Sequence, residues 1–174
     1  MATRKFIWVL FGILVISAWV LGSANQATAE TINYKSYTYT VKQENFPISD
    51  VEGHFLSFAV RSGFFVFENW GVAIGYSVIQ SEEIKGASSL LMYNTLTFTD
   101  GSTIIIKGQG TTGGGVPGSP ASGAFRNEII KGTGQFEGIK GTLSSKFKFI
   151  PAEKGEPGPK TFGEGTITYT LPSK

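Results

Sequence analysis

Two acids stand in apolar surroundings. Glu68 directly follows Phe64-Phe65-Val66-Phe67, and Glu128 precedes Ile129-Ile130, with Arg126 two residues before it. A carboxyl facing an apolar interior has its charged form disfavoured, so its pKa rises toward useful acid–base chemistry. Arg126 shares a strand face with Glu128 and can hold it ionised or take a ligand carboxylate. Glu68 and Glu128 are therefore the candidate catalytic residues, although the same acids at solvent-facing strand ends would do no chemistry. His54 is the only histidine, which rules out two-histidine metal centres. It leaves one base for a Ser-His-Asp triad, but no Gly-x-Ser-x-Gly elbow accompanies it. His54, Tyr76, Tyr93, Asn94 and Arg126 are the candidate ligand-binding residues, the last four offering orienting hydroxyl, amide and guanidinium groups. No metal and no cofactor is expected.

Other chemistries are removed by what is missing. The chain has no cysteine, so thiol catalysis and disulfide staples are excluded. Gly108-Gln109-Gly110-Thr111-Thr112-Gly113 matches G-x-G-x-x-G, but a dinucleotide site needs a helix next. Gly114-Gly115-Val116-Pro117-Gly118 cannot make one.

Strands must position these groups. Period-two alternation recurs, while no segment after residue 29 combines helical periodicity with freedom from Gly and Pro. In Lys140–Ile150, Leu143, Ser145, Phe147 and Phe149 alternate with Thr142, Ser144, Lys146 and Lys148, as in a half-buried strand. Tyr37, Tyr39 and Val41 alternate with Ser36, Thr38, Thr40 and Lys42 in the same way. So do Ile167, Tyr169 and Leu171 with Thr166, Thr168 and Thr170. Runs at 54–61, 64–68, 72–80, 89–99, 103–108 and 125–130 are rich in β-branched and aromatic residues. Asp100-Gly101 predicts a tight hairpin between 89–99 and 103–108. Ser81–Ser89 has room for one helical turn. Gly110–Gly123 is a low-complexity stretch that suits either a plain hairpin connection or a lid over a barrel mouth.

About eight or nine short antiparallel strands imply a barrel or a sandwich. The all-β, eight-stranded closed antiparallel barrel is preferred, with a β-sandwich as the alternative. Both faces of 72–80 lack charge, which suits a wall buried by a lumen on one side and a partner subunit on the other.

The N-terminus reads differently. Met1-Ala2-Thr3-Arg4-Lys5 is basic, Phe6–Leu21 is apolar apart from Gly12 and Ser17, and Ala27-Thr28-Ala29 is a small-x-small triplet. These are the three parts of a secretory signal, cleaved after Ala29. The apolar run is at the short edge of a bilayer span, so a retained anchor is the alternative. Of the 15 Lys and Arg, two lie in this segment and none of the 13 acids does. Residues 30–174 are thus formally neutral. The basic balance belongs to the signal, and neither nucleic acid nor an anionic membrane surface is an expected partner. The expected product is one domain, 30–174, in the periplasm or medium, without stable membrane insertion after cleavage.

The segment Gly132-Thr133-Gly134-Gln135-Phe136-Glu137-Gly138-Ile139-Lys140-Gly141-Thr142 resembles a signature of allene oxide cyclase-like and dirigent-like barrels. Its glycines permit a tight turn, Phe136 plugs the barrel end, and Gly141 starts the next strand. The resemblance extends over roughly residues 34–172 and implies an eight-stranded barrel, commonly trimeric, with a lumen for an apolar small molecule. Relatives of that kind cyclise a fatty-acid epoxide or steer phenoxy-radical coupling. No catalytic residue of theirs maps onto this chain by motif. The bacterial exported members of unknown role look most similar.

Three functions follow as expectations: an exported barrel binding an apolar small molecule, a cofactor-free cyclase or isomerase, or a filled structural or interaction barrel. A homo-oligomer, dimer or trimer, is compatible with each. The processing reading is checked by intact mass: a chain beginning at Glu30 in a soluble fraction is expected. Met1 retained in a membrane fraction would replace it with an anchored protein.

Overall fold

The structure, a computed structural model, describes residues 28–113 and 121–172; residues 1–27 of the expected signal, 114–120 of the Gly-rich stretch and 173–174 lie outside them. Eight strands run in sequence order: β1 (Glu30–Pro47), β2 (His54–Phe67), β3 (Gly71–Ile84), β4 (Ala87–Phe98), β5 (Thr103–Gly113), β6 (Ser122–Gly132), β7 (Lys140–Ile150) and β8 (Lys160–Thr170). Each pairs antiparallel with its neighbour, and β8 returns to β1 to close an eight-stranded barrel. The closing ladder runs from Glu30 opposite Tyr169 to Thr38 opposite Thr161. Closure leaves no unpaired sheet edge. A short 3₁₀ turn, Gly134–Phe136, is the only helical element among the described residues. The sandwich alternative is thereby set aside.

The Asp100-Gly101 hairpin forms as its sequence predicts, with Gly101 at φ 82°, a left-handed conformation that glycine adopts without steric cost. Asp100 accepts hydrogen bonds from the Ser102 amide at 3.0 Å and the Ser102 hydroxyl at 2.7 Å. Ser102 Oγ in turn accepts the Gln135 amide at 3.0 Å, tying this hairpin to the turn that carries Phe136. Around Ser81–Ser89 there is no helical turn. The β3 and β4 strands continue to Ile84 and from Ala87, and Lys85-Gly86 makes the reversal with positive φ at both residues. Two adjacent left-handed residues join strands more tightly than a helical turn would.

Two bulges adjust which residues face inward. The β1–β2 register shifts between Thr40 and Lys42, and the β5–β6 register shifts between Ile105 and Ile106. Before the first, even-numbered residues such as Tyr34, Thr38 and Thr40 are buried; after it, Gln43 lines the interior. Such extra residues bend a strand and raise its twist, as a small barrel requires.

One end of the barrel is packed shut. Trp70, from the β2–β3 turn, lies 4.8 Å from Phe136 and 4.6 Å from Tyr169 between ring centroids, and Phe98 lies 4.6 Å from Phe136. Ile32, Leu96, Ile104 and Ile167 complete this core. Phe136 is only 1% exposed and plugs the end as its motif implies.

The β7 and β8 alternations face as the sequence predicts, with Leu143, Phe147, Ile167 and Tyr169 buried. In β1 the expectation is inverted. Tyr37, Tyr39 and Val41 are exposed, while Thr38 and Thr40 are buried. Phe58, Phe64 and Val66 of β2 and Val72, Ile74, Tyr76 and Val78 of β3 also point outward. Tyr37, Phe64 and Ile74 are cross-strand neighbours, so these side chains form a continuous outer patch. Truncating the plug with Phe136→Ala should cost about 3–5 kcal/mol of stability, as large-to-small core changes do. Denaturant unfolding checks this, and a loss below about 1 kcal/mol would mean that Phe136 does not close the barrel.

Candidate functional site

The other end is hollow. A cavity of about 650 Å³ occupies the lumen between the aromatic plug and the opposite rim, where Lys85 and Gly86 of the β3–β4 turn and Pro159 before β8 line its mouth. Its volume is in the range of small-molecule sites. Phe125, Phe147 and Phe149 of β6 and β7 and Ile79, Leu90 and Met92 of β3 and β4 supply the apolar wall. Phe125 and Phe147 stack at 5.4 Å.

A polar row crosses the lining nearer the plug on β3 and β4 and continues onto β2 and β1. Thr40 pairs with Arg61, Arg61 with Ser77, and Ser77 with Asn94, so the four form one cross-strand row over β1–β4. All four are buried. The Arg61 guanidinium donates to Thr40 Oγ1 at 3.2 Å, to Thr38 Oγ1 at 3.3 Å and to the Pro159 carbonyl at 3.0 Å. Longer contacts of 3.4 Å reach the Thr38 carbonyl and Thr161 Oγ1. Every acceptor is neutral. Burial therefore pulls the Arg61 pKa down to about 10, still high enough to keep the charge at neutral pH. Deeper in, burial pushes the Tyr34 phenol up to about 12, with a hydrogen bond to Ser145 opposing it.

Two amides add unmet polarity. The side-chain carbonyl oxygens of Asn94 and Asn127 are buried and find no hydrogen-bond partner among the described residues. Both residues line the lumen. A Cβ on Gly108 would collide with the Asn127 carbonyl oxygen, so glycine at 108 is what lets that amide lie against the β5 wall. An orphaned buried acceptor typically costs about 1–3 kcal/mol.

The residues singled out by sequence scatter. Asn94 is inside the lumen. Tyr76, Tyr93, Arg126 and Glu128 lie on the outer surface because each has the strand parity opposite to the inward-facing residues beside it, and Glu68 is exposed in the turn after β2. The lumen-facing carboxyl that acid–base chemistry calls for is thus not supplied by Glu68 or Glu128. Glu68 accepts the Asn33 amide at 3.0 Å and the Asn33 side-chain amide at 2.9 Å. These two bonds hold its carboxyl below the usual range, opposite to the shift that an apolar interior would give. Arg126 and Glu128 do share a face, but it is the outer one.

His54 sits at the rim and does not line the cavity. Its Nδ1 lies 2.6 Å from Asp50 Oδ1 and its Nε2 lies 3.2 Å from Glu82 Oε1. The imidazole staples the β1–β2 connection to β3.

Arg61, Thr38, Tyr34 and Asn127 went unnoticed in the sequence. The available signal was parity: Ser57, Ala59, Arg61, Gly63 and Phe65 share one face of β2, which is smaller and more polar than the other. The rule that apolar faces point inward selects the wrong face there.

The site is a one-ended lumen in a closed antiparallel meander barrel. Among solved structures the chain is similar to two dirigent proteins. The pterocarpan synthase dirigent protein GePTS1 shares 15% identity at a TM-score of 0.49, over 88% of this chain and 96% of that one. The pterocarpan synthase dirigent protein PsPTS1 shares 15% identity at a TM-score of 0.46, over 86% and 98%. These likenesses concern the barrel alone. No family model and no curated protein matches the chain.

The rim staple gives a pH prediction. The hydrogen bond to Asp50 raises the His54 pKa above its ordinary 6.5, with Glu82 adding to it. A raised folded value means stabilisation is fully present below about pH 6.5 and is lost as pH rises through the folded pKa. Asp50, whose pKa His54 lowers, works the other way: its contribution is lost as pH falls through its own folded value. Nuclear magnetic resonance titration should find His54 above 6.5 and show it falling in Asp50→Asn. An unchanged His54 pKa in that variant would contradict the staple.

Proposed function

We propose that this protein is an exported barrel that binds an apolar small molecule in its lumen and associates with further copies of itself through β1–β4. The observation that carries the first part is the half-filled interior. An eight-stranded barrel can be filled solid by its own side chains or can hold one ligand. Here the aromatic plug fills one end only, and about 650 Å³ remains beside an aromatic wall. A structural barrel would gain stability by filling that volume, since unfilled core space is destabilising.

Binding is favoured over the cyclase or isomerase reading by the ionisable groups deep in the lumen. General acids and bases work best with pKa values near the operating pH. Arg61, at about 10, and Tyr34, at about 12, are both held well above it. Support for self-association is the outer patch, where Ile74 is 56% exposed and Phe64 and Tyr76 are 54% exposed. Ten such side chains on β1–β3, joined by Tyr93 of β4, make an extended apolar face of the kind that marks interaction sites. The N-terminal signal supports export.

N-phenyl-1-naphthylamine, a neutral fluorescent probe, should bind the processed protein saturably and be displaced by other apolar molecules. Glu68→Gln and Glu128→Gln should leave its affinity within about twofold, because neither acid lines the lumen. A panel of lipids, terpenoids and phenolics that gives no competable binding would overturn the lumen proposal. Light scattering on the same sample should report two or three chains, and a monomer at micromolar concentration would remove the self-association part.

A further inference from the structure

We propose that the lumen selects a carboxylate: its ligand is an apolar monocarboxylic acid whose carboxyl group is held by Arg61. This rests on the lumen-binding reading above and adds the chemical class of the ligand. Arg61 is 7% exposed and lies about midway along β2, with the plug on one side and the rim on the other. The ion pairs among the described residues join Lys42 to Glu44, His54 to Asp50 and Glu82, and Lys160 to Glu153 and Glu156. Arg61 takes part in none of them. Its partners are hydroxyls and carbonyls, which orient a guanidinium without neutralising it.

A charge taken out of water without a counter-charge is expensive, and buried charges in folded proteins are normally paired. The acid that lines the same cavity, Glu83, sits near the end of β3 at the rim, where Lys85 also lines the opening. The rim is thus balanced, and the interior carries one positive charge. Tyr34 stays neutral there, since burial holds its phenol up to about 12. What is missing at mid-depth is an anion: Nε and Nη2 of Arg61 are engaged by Thr38, Pro159 and Thr161, while Nη1 bonds Thr40 and keeps one N–H for a carboxylate oxygen.

The rest of the molecule that brings the anion is set by the other wall. Phe125, Phe147, Phe149, Ile79, Leu90 and Met92 ask for an apolar body. Asn94, two strands from Arg61 in the same cross-strand row, leaves a buried carbonyl oxygen without a donor. A second unmet carbonyl oxygen, that of Asn127, lies on β6 beside Phe125, so polar groups stand at mid-depth next to an otherwise apolar lining. An amphipathic acid answers both.

1-Pyrenebutyrate and 1-pyrenebutanol differ only at the carboxylate and report binding by fluorescence. The processed wild-type protein should bind the acid at least roughly tenfold more tightly than the alcohol, the scale of one charge-assisted hydrogen bond. Arg61→Gln should bring the two affinities within about twofold, Arg61→Lys should keep part of the preference, and Lys85→Gln should keep all of it. Equal affinities in the wild type, or a preference that survives Arg61→Gln in a folded protein, would overturn the inference and leave the lumen reading standing. If neither probe binds, the lumen reading itself fails. Should Arg61→Gln not fold, the Lys85→Gln comparison still decides, because a preference lost there belongs to the rim and not to Arg61.

Discussion

The pairing of β8 with β1 is the constraint from which the rest of this structure follows. Closing the ladder from Glu30–Tyr169 to Thr38–Thr161 creates an inside, and with eight strands the circumference is set. The side chains pointing inward then decide what that inside becomes. Large aromatics at one end fill it, and small or polar residues at the other leave it open. Trp70, Phe98, Phe136 and Tyr169 do the first; Ser57, Ala59, Ser77 and Ser81 do the second. The two bulges keep the intended faces inward while the strands curve.

The same constraint explains the distribution of polarity. Toward the rim the inward positions of β2 and β3 are mostly small, as at Ser57, Ala59, Ser77 and Ser81, and most of the large apolar side chains of those strands point out. The result is a barrel with an aromatic and aliphatic outer patch on one side and charged residues such as Lys107, Arg126, Glu128, Lys146 and Lys148 outside on the other. The lumen costs stability through one buried guanidinium without a counter-charge and the partnerless amide oxygens of Asn94 and Asn127. Features that cost stability without helping the fold are typical of functional sites.

Much of the fold was legible in the sequence. The Asp100-Gly101 turn, the Leu143–Phe149 and Ile167–Tyr169 alternations and the Phe136 plug could all be read because local chemistry and burial agree there. The inward face of β1 to β3 could not be read by the usual rule. Phe58, Phe64, Val66, Ile74 and Tyr76 outweigh Ser57, Arg61 and Ser77 in hydrophobicity, yet they face outward. The candidate site inherited that error. Glu68 and Glu128 drew attention by their apolar neighbours in sequence, but those neighbours lie on both faces of a strand; parity turns Glu128 outward on β6, and Glu68 lies in the turn just past β2. Of the candidate ligand-binding residues only Asn94 lies inside, on the face of β4 where Met92, Leu96 and Phe98 are buried. Ser81–Ser89 was ambiguous because a two-residue reversal and a single helical turn draw on similar residues.

The central claim is that binding takes place inside the barrel and not on its apolar exterior. Side-chain amide and guanidinium resonances report this directly when a ligand such as 1-pyrenebutyrate is titrated into isotopically labelled protein. The account predicts shifts concentrated at Asn94 Nδ2, Asn127 Nδ2 and Arg61 Nε, with little change at the outward tyrosines Tyr76 and Tyr93. Perturbation confined to Tyr76, Tyr93 and their outer neighbours, with the lumen signals unmoved, would contradict it.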